Sequence, residues 1–484
     1  MIPINWSSDF TTSYLVNLAN VAERITISRR PKIVLRKALS QMKPVKKWLV
    51  GSGIFSLLLS SFLVLMLWST RIETTLHGVH TRLLVPTGTD ALIGLHMYAG
   101  TGDLPVMPGF LDGPIIRREA GGHWDAVWFC EDRVFRRHGT DPSLQLVCAG
   151  QRRSYPIHAE VGPVPAVFAA PPNMLVLSDI EGNAQFLTAA LRELGVTGAN
   201  GEWTYGTNTL VIAGDAVDRG RDVFSVLWHL YALNLEAQRS GGAVHLVLGN
   251  HEQYMLQGNL SRANREHIYA LEQLGGQAAA FSADTVLGHW LRQHPVVIQA
   301  GDILITHGGI SPDVAAAGLS VPQLNAAMRR YWRGETASTI ELEAVIGRAG
   351  VSQYRGYFEP DEDLYGRAGV QDVSAVLNRY NARAVVVGHT QVERITQLFG
   401  GQVIAIDVNS DTAASQALLL EYGVPRVIPL ITRRDLAASA LRSRPLCLTG
   451  SEDWRTLWRF LQRGYQLSQL PFPYSPNTHP PAGN

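Results

Sequence analysis

Residues 209–220 read TLVIAGDAVDRG. The run Leu210, Val211, Ile212 and Ala213 has the length and branching of a buried strand. It stops at Gly214, and Asp215, Asp218 and Arg219 follow at once. A buried strand that releases two carboxylates and a guanidinium at its C-terminal end lies where α/β sheets place ligands. Four further apolar runs end in the same manner. MLVLS leads into Asp179, Glu181 and Asn183, VHLVL into Asn250, His251 and Glu252, ILIT into His307, and AVVV into His389. If these strands occupy neighbouring sheet positions, their side chains converge on a mixed oxygen and nitrogen metal site.

Asp215 ends the central run, so its carboxylate is placed to bridge two cations, which two-metal hydrolases hold about 3.5–4 Å apart. One cation would take Asp179, Glu181 and Asp215; the other would take Asp215, Asn250, His307 and His389. Such a pair clamps a phosphate and lowers the pKa of a water for in-line attack. His251, next to Asn250, is the expected general acid toward the leaving oxygen, with Asp218 orienting its imidazole. Arg219 adds a planar fork for phosphate oxygens.

These motifs carry a resemblance. GDAVDRG (214–220) and GNHE (249–252), followed by HGG (307–309) and GHT (388–390), resemble the calcineurin-like metallophosphoesterases, and within them the phosphoprotein phosphatases. GNHEQYMLQGNL, DTVLGHWLRQHPVV, THGGISPD and QYRGYF are similar to patterns of the bacterial Shewanella-like protein phosphatases. The resemblance covers roughly residues 173–431. It implies a four-layer α/β/β/α sandwich, a dinuclear metal centre and hydrolysis of phosphate monoesters. It also implies that Arg219 and Arg355, with Asn250 and His251, hold the substrate phosphate.

The first motif departs from the family. It reads SDIEGN (178–183), with Glu181 where the family has a metal-binding histidine. Either Glu181 is a substitute ligand, or the position is weakened and the chain is a non-catalytic relative. The first reading is adopted, because carboxylate is an ordinary metal ligand. Hard oxygen donors favour Mn, Mg or Ca over Zn, so the expectation is two divalent ions, Mn2+ ahead of Mg2+ or Fe. Glu252 and Asp407 are expected to be supporting residues.

The chain has 484 residues, 46% hydrophobic and 17% charged, which is a globular composition. A formal net charge of +1 gives no reason to expect nucleic acid. The basic residues Arg24, Arg29, Arg30, Lys32, Arg36, Lys37, Lys43, Lys46 and Lys47 precede an uncharged apolar stretch, 48–68, with Trp at both ends. That is about the 20 residues a bilayer-spanning helix needs. The charge asymmetry predicts the N-terminus inside and the rest outside. A cleaved signal starting at Met42 is the competing reading, against which stands the lack of a small-x-small cleavage site.

The expected plan is a basic cytoplasmic segment (1–47), an anchor (48–68) in the inner membrane and a small β-rich domain (71–165). A periplasmic catalytic domain (170–432) and a helical extension with a disordered tail (433–484) follow. In the β-rich part His77, His80, Asp125, Glu131 and Asp132 read as surface residues. Cys130 and Cys148 flank a segment that looks like a hairpin, so a disulfide suits an oxidising compartment, with unrelated thiols as the alternative. The function expected is a metal-dependent phosphomonoesterase acting on a phosphoprotein. The rivals are hydrolysis of small phosphates or dinucleoside polyphosphates, and a non-catalytic scaffold.

Overall fold

The structure, a computed structural model, describes residues 44–75, 78–86, 92–95, 110–157, 164–409 and 414–470. The expected basic segment up to residue 43, Met42, the tail beyond 470, His77 and the side chain of His80 lie outside these. The chain divides into two units, 1–68 and 69–484. In the first, a helix spans Pro44–Ser69, and its 22 residues Trp48–Ser69 are long and apolar enough to cross a membrane.

The second unit begins with β1 (Arg71–Thr75), β2 (Gly78–Pro86), β3 (Leu92–Leu95), β4 (Leu111–Arg118), β5 (Trp124–Cys130), β6 (Arg133–Gly139), β7 (Ser143–Cys148) and β8 (Gln151–Pro156). The sandwich follows with β9 (Val167–Phe168), β10 (Asn173–Leu177), β11 (Thr209–Ile212), β12 (Ala243–Leu246), β13 (Val297–Ala300), β14 (Ile303–Thr306) and β15 (Ala384–Val387). The series closes with β16 (Thr396–Leu398), β17 (Val403–Ala405), β18 (Gln416–Glu421), β19 (Val424–Pro429) and β20 (Arg442–Pro445).

Two sheets form the sandwich, ordered β12-β11-β10-β18-β19 and β16-β17-β15-β14-β13-β9. The five site-bearing strands are therefore split: β10, β11 and β12 are parallel neighbours in one sheet, and β14 and β15 in the other. The period-2 alternation of a strand explains the two buried faces. Met174, Val176, Val211, Ile305 and Val386 share one apolar layer, while Leu175, Leu177, Leu210 and Ile212 belong to a second core with the helices. The helix Val223–Arg239 packs on β12 and the helix Val321–Trp332 on β13, which makes the layers α/β/β/α.

The late apolar runs VIAID (403–407), ALLLEY (417–422) and VIPLI (427–431) are divided between the two sheets. VIAID supplies β17 to the six-stranded sheet, whereas ALLLEY and VIPLI form the β18–β19 hairpin, which pairs antiparallel with β10. The chain crosses between sheets at this point, which periodicity alone does not encode.

The β-rich segment shares its core with the sandwich rather than standing apart. Phe110, Ile115, Trp124 and Phe129 belong to the same cluster as Phe224 and Trp228. Trp228 Nε1 donates to the Pro114 carbonyl at 3.0 Å, and His267 Nδ1 meets Asp112 Oδ2 at 2.6 Å. Cys130 and Cys148 are bonded. The segment between them is not a hairpin: β6 pairs back with β5 and β7 forward with β8. Two-residue turns decide this, at Glu131-Asp132 and at Ala149-Gly150, where both residues have positive φ (48° and 78°) as hairpin turns of this length favour. The C-terminal extension contributes β20, which pairs with β1, and the amphipathic helix Ser451–Ser468. Buried Arg463 of that helix lies over Phe129 and Tyr269, and Arg459 pairs with Glu131 and Asp132.

Candidate active site

The C-terminal ends of β10, β11, β12, β14 and β15 deliver the predicted residues to one place between the sheets. Their backbones are unusual there. Of eleven residues other than glycine with positive φ among the described residues, six are Asp179, Glu181, Asp215, Asp218, Arg219 and His389. Such conformations cost free energy and persist where the surroundings impose them, often at functional sites. Gly214 allows a close approach: at φ +91°, a Cβ there would lie 2.5 Å from His307 Nδ1.

Glu252 imposes much of this shape. Fully buried, it accepts at Oε1 from the amides of Ala216 (2.7 Å) and Val217 (3.3 Å), and at Oε2 from Asp215 (3.0 Å) and Gly249 (2.8 Å). It ties the end of β11 to the start of the helix Asn250–Leu256, so its role is support, as the sequence suggested.

Four donors converge. Asp215 Oδ2 lies 3.0 Å from His307 Nε2, which is also 3.0 Å from Asn250 Oδ1. His307 Nδ1 meets the Ala213 carbonyl at 2.9 Å, so its proton belongs there and the Nε2 lone pair faces the two oxygens. Three acceptors facing one another need a positive charge between them, either a proton on His307 or a cation. Burial lowers the affinity of His307 for a proton, but Asp215 outweighs it and raises the pKa to about 10. His389 completes the group: Nε2 faces the Gln353 carbonyl at 3.1 Å, so its proton belongs there and the lone pair lies on Nδ1, which Arg355 Nη2 approaches at 3.5 Å. Burial, then His307 and Arg355, push His389 down to about 2, so its ring is neutral. Ligand atoms of Asp215, His307 and His389 lie within 4.8 Å of one another. These residues fit a divalent cation. For Asp215 itself burial opposes the charge, yet His307 and His251 hold it well below the usual carboxylate range.

His251 stands beside this group. Its Nδ1 contacts Asp218 Oδ2 at 2.9 Å, its Nε2 is 3.7 Å from Asp215 Oδ2, and its amide donates to Asp215 Oδ1 at 3.0 Å. Burial disfavours its charge, but Asp215 and the bonded Asp218 raise its pKa to about 9. Arg355 rims the site, its Nη1 donating to the His389 carbonyl (2.8 Å) and Thr390 Oγ1 (3.1 Å).

The first-motif residues are arranged otherwise. Asp179 Oδ2 accepts from Ser178 Oγ and from the His389 amide, the latter at 3.3 Å, and burial, with Asp215 adding to it, pushes its carboxyl up to about 7. Glu181 is held by two guanidinium groups: Arg219 Nη1 at 2.8 Å on Oε1 and Arg433 Nη1 at 3.3 Å on Oε2. Arg433 was invisible to sequence reasoning. It belongs to no motif, lies 252 residues from Glu181, and opens the extension rather than the sandwich. Asp407 is buried beside the first motif, where burial, then Asp179 and Glu181, push it up to about 8. Its carbonyl accepts from the Val392 amide at 2.9 Å, which braces the loop after His389.

Comparison with known proteins finds relatives for this stretch. Residues 172–393 match the family described as calcineurin-like phosphoesterase, and the chain carries a calcineurin-like metallophosphoesterase domain, a fold of hydrolases acting on phosphate esters. Among its relatives, Shewanella-like protein phosphatase 1 of Plasmodium berghei is 24% identical over 221 residues, covering 45% of this chain and 61% of that protein. Shewanella-like protein phosphatase 2 of Arabidopsis thaliana is 21% identical over 323 residues, covering 58% of this chain and 80% of that protein. The crystal structure of a cold-active protein-tyrosine phosphatase of a psychrophilic Shewanella species superimposes with a TM-score of 0.60 at 28% identity, covering 66% of this chain and all of that one.

Proposed function

We propose that the chain is a metal-dependent phosphomonoesterase acting on phosphoproteins. The observation that carries this reading is the convergence of Asp215, Asn250, His307 and His389 beside the His251–Asp218 pair. A divalent cation on those four residues would supply Lewis-acid stabilisation of phosphoryl charge and acidify water. The remaining work falls to this chain's own side chains. Arg355 at the rim and Arg219, whose side chain is 57% exposed, are positioned to clasp phosphate oxygens through their planar forks. Asn250 and His251 close the other side. As the water oxygen bonds to phosphorus and the ester bond breaks, His251 gives its Nε2 proton to the leaving oxygen while Asp218 keeps the ring oriented through Nδ1.

Mn2+ is the proposed native ion, with Mg2+ or Fe behind it. The apolar helix is proposed as a single inner-membrane anchor with the N-terminus inside and the catalytic domain in the periplasm. The Cys130–Cys148 disulfide supports that side, since such bonds persist in oxidising compartments. Phosphotyrosine, phosphoserine and phosphothreonine peptides assayed with Mn2+ against dinucleoside polyphosphates test the substrate class. Preferential cleavage of nucleotides would replace the protein-phosphatase reading with the small-phosphate one. A reporter fused after residue 470 that is active only in the cytoplasm would reverse the orientation.

A further inference from the structure

The second cation position and the first are built differently, and the difference concerns Glu181. Its two carboxylate oxygens are each engaged by a different arginine, Arg219 on Oε1 and Arg433 on Oε2. The two arginines are not equivalent. The Arg219 side chain is 57% exposed and can swing to an incoming phosphate, whereas Arg433 is 8% exposed and fixed on several sides. Its Nη2 donates to the carbonyls of Asp179 (2.5 Å) and Ile180 (3.1 Å), and its guanidinium lies 5.1 Å over the Phe186 ring. The backbone that carries the carboxylate is itself pinned to the residues after β11. Glu181 donates its amide to the Asp215 carbonyl at 2.9 Å, and Gly182 its own to Ala216 at 2.9 Å.

A buried guanidinium is permanently charged. It neutralises a carboxylate as a metal would, and it repels a divalent ion brought to the same carboxylate. Among the described residues, the acidic and histidine side chains whose ligand atoms come within 4.8 Å of one another are Asp215, His307 and His389, without Asp179 or Glu181.

We infer that this chain holds one divalent cation tightly, on Asp215, Asn250, His307 and His389, and that Arg433, clamping Glu181, stands in place of a cation at the first position. The inference rests on the metal-dependent reading above and corrects the expectation that Glu181 is a ligand. It also ties Glu181 to Arg433, because an imidazole at 181 would leave Arg433 without its carboxylate partner.

The test is metal content rather than activity. The full-length chain, purified in detergent, is stripped with a chelator, reloaded with Mn2+, desalted and analysed by elemental mass spectrometry and electron paramagnetic resonance. The expected result is about one Mn per chain with the six-line spectrum of an isolated ion, unchanged in Glu181→Gln. The Glu181→His, Arg433→Met double variant should gain a second equivalent and a coupled spectrum. Should that variant fail to fold, the wild type and Glu181→Gln still decide. Two equivalents in the wild type, with one lost in Glu181→Gln, would overturn the inference and leave the metal-dependent reading standing. No retained Mn in a folded wild-type chain would overturn both.

Discussion

Replacing His251 by Asn removes the proposed acid while leaving the four cation-holding residues in place. Its Nε2 is 3.7 Å from Asp215, outside hydrogen-bond range, and Asn250 rather than His251 meets His307. Metal content should therefore stay at the wild-type level. General acid catalysis contributes roughly 10²- to 10⁴-fold, so kcat on an alkyl phosphate such as a phosphoserine peptide should fall in that range. Asp218 acts through the 2.9 Å contact with Nδ1. A hydrogen bond to a charged group contributes about 1.5–3 kcal/mol, so Asp218→Asn should cost about 10- to 10²-fold at 1.36 kcal/mol per factor of ten. The double variant should be little slower than His251→Asn alone, since groups acting as one unit are not additive. An aryl phosphate, whose leaving group needs the proton less, should lose far less rate than the peptide. Steady-state kinetics on both substrates, with metal analysis of each variant, read the outcome. Equal losses on the two substrates, or loss of metal in His251→Asn, would refute the acid role and make His251 a structural residue.

Other outcomes follow from the support around the site. Glu252→Ala leaves four buried amides without their acceptor, at about 1–3 kcal/mol for each unsatisfied group and less than additively; a loss of roughly 3–5 kcal/mol in urea unfolding is expected, and under about 1 kcal/mol would contradict the clamp. The Cys130–Cys148 bond links residues separated by 18 positions, which in the chain-entropy account stabilises by about 3 kcal/mol. Cys148→Ala should lower the unfolding free energy accordingly, and a fully stable variant would count against it. Burial holds His229 and His245 down to about 4 and His294 to about 3, so all three are neutral when folded. Because the unfolded chain binds protons on them first, their stability contribution is full above pH ~6.5 and falls with pH toward ~4, by about 1.4 kcal/mol per histidine per unit. The drop is read by difference, because Asp179 and Asp407, raised to about 7 and 8, gain stability over the same range: His294→Gln should remove its share of the loss between pH 7 and 5.5 in denaturant unfolding, and the same pH change in variant and wild type would contradict it.

The stretches that end in site residues were legible because each is a short, largely apolar strand cut off by glycine or by a polar residue. Asp215, Asn250, His251, His307 and His389 could be placed from those stops. The division of the strands between two sheets was not legible, since β14 and β15 look like β10 and β11 in composition and only pairing separates them. The β5–β6 turn at Glu131-Asp132 was missed because it carries neither Asn-Gly nor Gly-Gly, and Glu131 adopts φ 58° without that signal. Arg433 escaped for a different reason. Its role depends on a residue 252 positions away, and a lone arginine opening a polar helix looks like any exposed one. Glu181, by contrast, was flagged as soon as it replaced the expected imidazole, although the sequence held no hint of its partner.

Hydrolysis of p-nitrophenyl phosphate by the full-length chain, before and after chelation and on return of Mn2+, tests the central claim most directly. Turnover should be lost on chelation, restored by Mn2+, and absent from Asp215→Asn, which removes the carboxylate shared by His307 and the cation position. A folded, Mn-loaded chain that cleaves neither this ester nor any phosphopeptide would contradict it, and so would turnover indifferent to both the chelator and the substitution.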